Sequence, residues 1–278
     1  MAARKKNGRV LVGTSGWAYP HWRGRFYPPK LPQRLELSHI AEHFPTVEVN
    51  GTFYSLTRPS ACEAWRAAVP PGFVFAIKGS RYITHMLKLA RFQGPLANFF
   101  ASGILRLGAQ LGPVLWQLPP GLRFDPDRAG AFLEALPVDM AGAQRWARKH
   151  DARTTGRAAL TAPDGRQNRL RHALEPRHPS WMEDRALRLL EEHDVALVAA
   201  DTAGKFPFLM ARTAGFAYLR LHGSTVLYAS RYTDQEIATW AERIRGLRDE
   251  GLDVYVYFDN DGSAHAPGDA ARLQAAVG

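Results

Sequence analysis

The chain has 278 residues, of which 46% are hydrophobic and 22% charged, enough to bury the core of one α/β barrel of about 250 residues. No run approaches the roughly 18 apolar residues of a membrane-spanning helix; the apolar segment 10–12 behind a basic start is too short for a secretory signal, and the lone Cys62 forms no intrachain disulfide, so a cytoplasmic protein is expected. The formal net charge of +10, from 36 Lys and Arg against 26 Asp and Glu, attracts polyanions, making a small phosphorylated molecule or nucleic acid a candidate partner against the plainer reading of charge for solubility.

Short apolar runs alternate with amphipathic stretches along the whole chain, the pattern of βα units and a parallel sheet. Strands are predicted at 9–14, 46–50, 73–78, 114–118, 170–175, 195–200, 216–221 and 253–258. Helices are predicted near 35–43, 60–68, 95–107, 127–136, 182–193, 234–250 and 267–276. Between the fourth helix and the fifth strand, 137–168 reads as an irregular basic insertion containing Arg145, Arg148, Lys149, Arg153, Arg157 and Arg166, with a short helix around 141–150. A nucleic-acid arm is the sharper reading of that stretch, and a solvated basic loop the expected one. Eight units in order predict an α/β fold, a TIM-type (β/α)8 barrel with a closed parallel sheet, forming a single domain over 1–278 with a disordered basic start at 1–8. A doubly wound open sheet is the alternative, but GTSGW at 13–17 does not match the glycine-rich phosphate turn expected after its first strand.

Side chains alternate across a strand, which separates barrel interior from helix-facing exterior. In TVEVN, Val47 and Val49 face the helices, so Glu48 and Asn50 point inward. In FVFAIK the inward set is Val74, Ala76 and Lys78, and in YLRLHG it is Tyr218, Arg220 and His222. The fourth strand contributes Gln117 in phase with Leu115, the fifth places Ala173, Glu175 and Arg177 on one face, and the sixth ends in Asp201. Unpaired charge inside a barrel is costly. The ring is therefore either a paired structural network, Glu48 or Glu175 with Lys78, Arg177 or Arg220, or a ligand site. Charged residues at the C-terminal face of such barrels are usually functional, which favours the site.

The motifs GTSGW, FYPP, TVEVNGTFY, FAIKGSRYITH, VLWQLPP, ALEPRHPSW, YLRLHG and VYVYFDND, spread from Val10 to about Leu273, resemble the family known as domain of unknown function 72, also called YecE-like. The resemblance implies a TIM-type barrel and brings no established reaction. The family positions it carries over begin with Gly13 to Trp17, which includes Ser15, and continue through Glu48, Asn50, Thr52, Tyr54, Lys78, Thr84, His85, Gln117 and Pro119. They go on to Glu175, Arg177, His178, Trp181, Asp201, Arg220, His222, Gly223, Tyr232 and Asn260. The chain departs from the pattern at Pro176, which should end the fifth strand by Glu175, and at Asp259 and Asp269, where Asn is common.

Several chemistries fit such a ring. Glu175, Asp201 and His222 end consecutive strands and, with Asp259 or Asp261, could take Mg or Mn, but no HxxE, HxH or HExxH spacing occurs among these strand-end residues and the nearby cations compete, so a divalent metal is not favoured and the cofactor stays unassigned. Phosphate would sit on His222-Gly223-Ser224-Thr225 after the seventh strand, with Arg220 and Lys78 as anion clamps; an ordinary turn is the competing reading. Glu48 and Glu175 across the mouth could serve sugar hydrolysis, although glycosidases on this fold use strands four and seven, where Gln117 and His222 stand. Trp17, Trp22, Tyr54, Trp181 and Tyr232 could stack on a ligand or cap the core. Lys78 could act as a base or form a Schiff base unless Glu48 pairs with it. His85 could shuttle protons, and His178 could equally brace its loop.

The favoured reading is an enzyme, such as a phosphoester hydrolase, acting on a phosphate-bearing ligand, nucleotide or nucleic acid. Its catalytic candidates are Glu48, Lys78, Glu175, Asp201 and His222; its ligand-binding candidates are Ser15, Trp17, Asn50, Tyr54, His85, Gln117, Arg177, His178, Trp181, Arg220, Gly223, Tyr232 and Asn260. The alternatives are a non-catalytic metabolite or nucleic-acid binder and a carbohydrate-active hydrolase. No membrane partner is expected, and the sequence carries no signal for oligomeric state.

Overall fold

Eight strands close into an all-parallel barrel in sequence order. They are β1 (Val10–Ser15), β2 (Thr46–Val49), β3 (Val74–Lys78), β4 (Leu111–Gln117), β5 (His172–Glu175), β6 (Val195–Asp201), β7 (Phe216–Leu221) and β8 (Asp253–Phe258). β8 returns to pair with β1 through Val10 to Thr14, which leaves no open sheet edge. This computed structural model describes residues 7–164 and 169–278; most of the basic start and Arg166 of the basic insertion lie outside the described residues.

The helices are α1 (Glu36–His43), α2 (Gly51–Tyr54), α3 (Pro59–Ala67), α4 (Gln93–Ala101), α5 (Pro126–Glu134), α6 (Met140–Ala147), α7 (Asp184–Glu192), α8 (Asp234–Asp249) and α9 (Ala266–Val277). Their starts follow from local chemistry. Asp125, Asp139 and Thr233 accept backbone N–H bonds as N-caps, and Thr233 with Glu236 forms a reciprocal capping box. The short α2, which presents Tyr54, had no periodic signal because a single turn is too brief to show one. β4 begins three residues before the expected Val114, across Gly112 and Pro113, which read as breakers. A register shift opposite β3, between Phe75 and Ile77, absorbs that proline. Pro176 ends β5 at Glu175, as its missing donor requires.

Strand alternation builds two concentric cores. Outward Val47, Val49, Phe75, Ile77, Trp116, Leu219 and Leu221 pack under the helices, while Leu11, Ala76, Leu115, Ala173, Val198, Phe216, Tyr218, Tyr255 and Tyr257 fill the barrel. Alanines on β3, β5 and β6 face large side chains from β7 and β8, so Tyr218, Tyr257 and Arg220 can cross the lumen. At the N-terminal end Arg171 Nη1 bonds Asp253 Oδ2 and the Tyr255 hydroxyl, both at 2.8 Å, and closes the barrel floor. No helix among the described residues is long and apolar enough to cross a membrane.

Candidate functional site

The inner face at the C-terminal end of the barrel carries one connected ionic network, assembled by strand register. Ser15 lies beside Glu48 on β1 and β2, Gln117 beside Glu175 on β4 and β5, and Arg220 beside Ala200 and Tyr257. Arg220 is completely buried and sits at the centre. Its Nε lies 3.2 and 3.1 Å from the two Glu48 oxygens, Nη1 lies 2.7 Å from Glu175 Oε2, and Nη2 lies 2.7 Å from Glu48 Oε1, 2.9 Å from Asp259 Oδ2 and 3.0 Å from Ser15 Oγ. Nη1 also donates to His222 Nε2 at 3.3 Å. Arginine only donates, so His222 Nε2 accepts and the ring proton belongs on Nδ1, 2.9 Å from Asp259 Oδ2. The Tyr218 hydroxyl at 2.6 Å and the Ser15 hydroxyl complete Glu48; Gln117 Nε2 at 2.8 Å and Arg177 Nε at 3.1 Å complete Glu175.

This saturation corrects several expectations. Every N–H of Arg220 is committed inside the protein, so it cannot also grip a bound anion. Glu48 and Glu175 are buried and hydrogen-bonded on both oxygens. Arg220 and Arg177 hold Glu175 well below the usual carboxylate range against the opposing effect of burial, and burial is likewise outweighed at Asp259, lowered to about 2 by Arg220 and His222. Carboxylates so stabilised as anions are poor proton donors. Lys78 makes no salt bridge to Glu48, because Arg220 already occupies that carboxylate. Asp201 does not join the ring: it is in phase with Val195, Leu197 and Ala199, faces outward, and accepts the Tyr232 hydroxyl at 2.9 Å.

The proposed phosphate loop after β7 is also corrected. Gly223 N–H donates to the Tyr232 hydroxyl, and the amides of Thr225 and Val226 both donate to Ser230 Oγ, so these donors are spent on the turn itself. The metal set does not converge, since a guanidinium lies between Glu175 and His222 and Asp201 faces away. Among the described residues, ligand-spaced groups occur instead at His39, Glu42 and His43 on α1, within 4.8 Å of one another; this HIAEH segment leads into the start of β2 and does not line the barrel-mouth cleft.

Above the network opens a cleft of about 690 Å³ lined by Tyr19, Asn50, Gly51, Phe53, Tyr54, Lys78, Arg81, His85, Gln117, Arg177, Tyr228 and Asp259. Of the residues singled out from sequence, Asn50, Tyr54, Lys78, His85, Gln117 and Arg177 reach it, while Ser15, Glu48, Glu175, Arg220 and His222 lie in the network beneath. Several others brace loops away from it. Trp181 Nε1 donates to the Leu122 carbonyl at 3.0 Å, His178 caps the turn at Ser180, and Trp17 packs edge-on against Trp65 at 5.6 Å. Asn260 is buried and donates to Asp269 Oδ2 and the Ser230 carbonyl. Tyr232 is buried and bridges Gly223 to Asp201.

Tyr19, Phe53, Arg81 and Tyr228 were missed, and Asp259 was weighed as a metal ligand and as a departure from the family pattern. Asp259 was legible, being in phase with the inward Tyr255 and Tyr257. Tyr19 reaches the cleft through Gly16, whose φ of +91° turns the loop and whose missing Cβ leaves room for the tyrosine hydroxyl, 2.6 Å from where a Cβ would stand.

Three cations line the cleft, and its carboxylate, Asp259, is already bound to Arg220 and His222. Lys78 Nζ has no ion-pair partner among the described residues and sits 4.7 Å over the Phe53 ring. Burial, then the Arg220 charge, lower its pKa to about 8, with Glu48, Asp259 and Glu175 acting in the opposite sense. His85 is lowered to about 4 by burial and by Arg177, Lys78 and Arg81, so it is neutral near pH 7. Asn50 Nδ2 donates to Ser15 Oγ at 2.9 Å. Ser15 spends its own proton on Glu48, which fixes the amide orientation and leaves Asn50 Oδ1 with no donor among the described residues.

A closed parallel (β/α)8 barrel with an arginine-centred network beneath a cationic mouth defines the architecture. The chain belongs to the family described as "Protein of unknown function DUF72", whose model matches residues 11–278. It is 24% identical over 293 residues to the UPF0759 protein YunF of Bacillus subtilis, covering 95% of this chain and 93% of that protein. It is 30% identical over 134 residues to the UPF0759 protein YecE of Escherichia coli K12, covering 46% of this chain and 44% of that protein. A DUF72 family protein (TM1631) from Thermotoga maritima superposes with a TM-score of 0.75 at 23% identity over 96% of this chain and 98% of its own. Another (EF0366) from Enterococcus faecalis superposes at 0.72 and 19% identity over 96% and 95%. At these identities the likeness is one of fold.

Proposed function

We propose that the barrel-mouth cleft binds a small phosphate-bearing molecule and that the protein is an enzyme acting on it. The observation that carries this reading is the convergence of Lys78, Arg81 and Arg177 on one cavity whose lining carboxylate, Asp259, is held by Arg220. Cations that converge on one cleft favour a multivalent anion, and guanidinium groups match phosphate oxygens in geometry as well as charge. The anion sits at the outer rim with Arg81 and Arg177, not on the loop after β7. A cleft of this volume fits a metabolite rather than a duplex.

Calorimetric titration with a sugar phosphate, AMP and inorganic phosphate, each organic ligand beside its dephosphorylated counterpart, tests the reading. The phosphorylated forms should bind about tenfold tighter or better, and Arg81→Gln should remove roughly that factor. Equal affinity for phosphorylated and dephosphorylated ligands, unaffected by Arg81→Gln, would overturn it.

A further inference from the structure

We propose that Lys78 is a covalent catalyst whose Nζ forms a Schiff base with the carbonyl carbon of an aldehyde or ketone held in the barrel-mouth cleft. The inference deepens the assignment above and rests on it for the location of the ligand: phosphate becomes the handle by which the substrate is held, and the carbonyl the group that reacts.

The geometry points this way. Lys78 ends β3 on the inner face and is 9% exposed, reaching only the cleft. Three carboxylates, Glu48, Glu175 and Asp259, act on it electrostatically, yet each is already bound to Arg220. A lysine kept merely for structure would be expected to take one of those partners. Here the network satisfies its carboxylates without Lys78, and the amine is left over an aromatic face with no ion-pair partner among the described residues. The remaining charged neighbours in the cleft, Arg81 and Arg177, are cations, and His85 is neutral near pH 7. A pKa of about 8 gives this amine two to three powers of ten more free base near neutrality than an ordinary lysine has.

The step balances without an oxidant or reductant. Neutral Nζ attacks the carbonyl carbon, a C–N bond forms, and the carbonyl π pair moves to oxygen, which takes a proton. The nitrogen gives up its two protons in turn, the hydroxyl group takes a second proton and leaves as water as the C–O bond breaks, and the C=N bond of the imine forms. The Tyr228 hydroxyl and the His85 imidazole line the same cleft and can relay those protons. The substrate class is therefore a phosphorylated aldehyde or ketone.

The full chain is incubated near pH 7.5 with limiting pyridoxal 5′-phosphate, an anionic aldehyde, and separately with propanal, a neutral one, then reduced with cyanoborohydride and peptide-mapped by mass. The reduced adduct should fall on Lys78 at least about tenfold ahead of exposed lysines such as Lys30 or Lys205, given its larger free-base fraction. Wild-type selectivity is decisive even where Lys78→Met fails to fold. Label spread evenly over the surface lysines, with Lys78 unmodified by both probes, overturns the proposal. Phosphate binding without any Lys78 adduct removes the Schiff base and keeps the anion site; propanal trapped at Lys78 without phosphate affinity keeps the amine chemistry and removes the anion site.

Discussion

Arg220 and Glu48, 172 positions apart in the chain, meet side-on in the barrel lumen, where Arg220 Nη2 lies 2.7 Å from Glu48 Oε1 and Nε spans both oxygens. Neither side chain has any exposure, and the same guanidinium also holds Glu175 and Asp259. Removing it strands three buried carboxylates, and breaking even one such pair typically costs about 3–5 kcal/mol. Arg220→Met should therefore lower the thermal midpoint by roughly 10 °C or more, or prevent folding. Arg220→Lys should recover little, because an ammonium cannot reach all these acceptors from one position. A melting curve for Arg220→Met that overlays the wild type would show that the network is not what holds the mouth together.

The position of His172 sets a second expectation. It lies under the helices, with Nδ1 accepting from Trp116 Nε1 at 3.2 Å and Nε2 2.8 Å from the Pro137 carbonyl, which fixes the neutral tautomer. Burial lowers its pKa from 6.5 to about 4 against the opposing carbonyl contact. Between those values the unfolded chain binds more protons than the folded one, so stability is present above pH 6.5 and is lost as the pH falls toward 4. The full effect is about 3 kcal/mol at roughly 1.4 kcal/mol per pKa unit. Urea midpoints should fall across that window, and His172→Gln should reduce the slope, leaving the share of His85, which is lowered to about 4 as well. Asp259, lowered to about 2, adds its loss only below about pH 4.

Strand phase was the legible part of both fold and site. Alternation in TVEVN, FVFAIK and YLRLHG is fixed by a period of two, and it places Glu48, Lys78 and Arg220 in the lumen whatever the loops do. The same rule applied one residue further would have put Asp201 with Leu197 on the outside and Asp259 with Tyr257 on the inside. What local pattern does not contain is who pairs with whom. Arg220 satisfies carboxylates from β2 and β5 and the residue after β8, a choice made by barrel closure and by small side chains elsewhere in the lumen. That closure turned an expected anion clamp into a buried hub and released Lys78. Cleft residues contributed by loops, such as Arg81 and Tyr228, had no periodicity to announce them.

The turn after β7 is a third case where structural and binding roles separate. Gly223 has φ +109°, and a Cβ there would stand 2.6 Å from the Val226 carbonyl. Gly223→Ala should cost about 2 kcal/mol or more through backbone strain and crowding. Ser224→Ala and Thr225→Ala should leave phosphate affinity within about twofold, because the amides of Gly223, Thr225 and Val226 are already occupied and the anion lies elsewhere. A large loss of phosphate binding in either variant, with stability unchanged, would return the anion to this loop.

Anion affinity should itself report on Lys78. The ammonium is held below about pH 8 and lost above it, while a phosphate monoester, with a second pKa near 6, keeps a constant charge over that range. His85 is already neutral and Asp259 already ionised there, and guanidinium groups do not titrate. Phosphate affinity should therefore be flat from about pH 7 to 7.5 and then fall as the pH rises through 8, by about tenfold for the loss of one buried cation. Lys78→Met should bind more weakly at pH 7 and show no further decline above it. Titrations at fixed ionic strength between about pH 7 and 9.5 separate the cases, because a decline of equal size in Lys78→Met would assign the titrating group elsewhere.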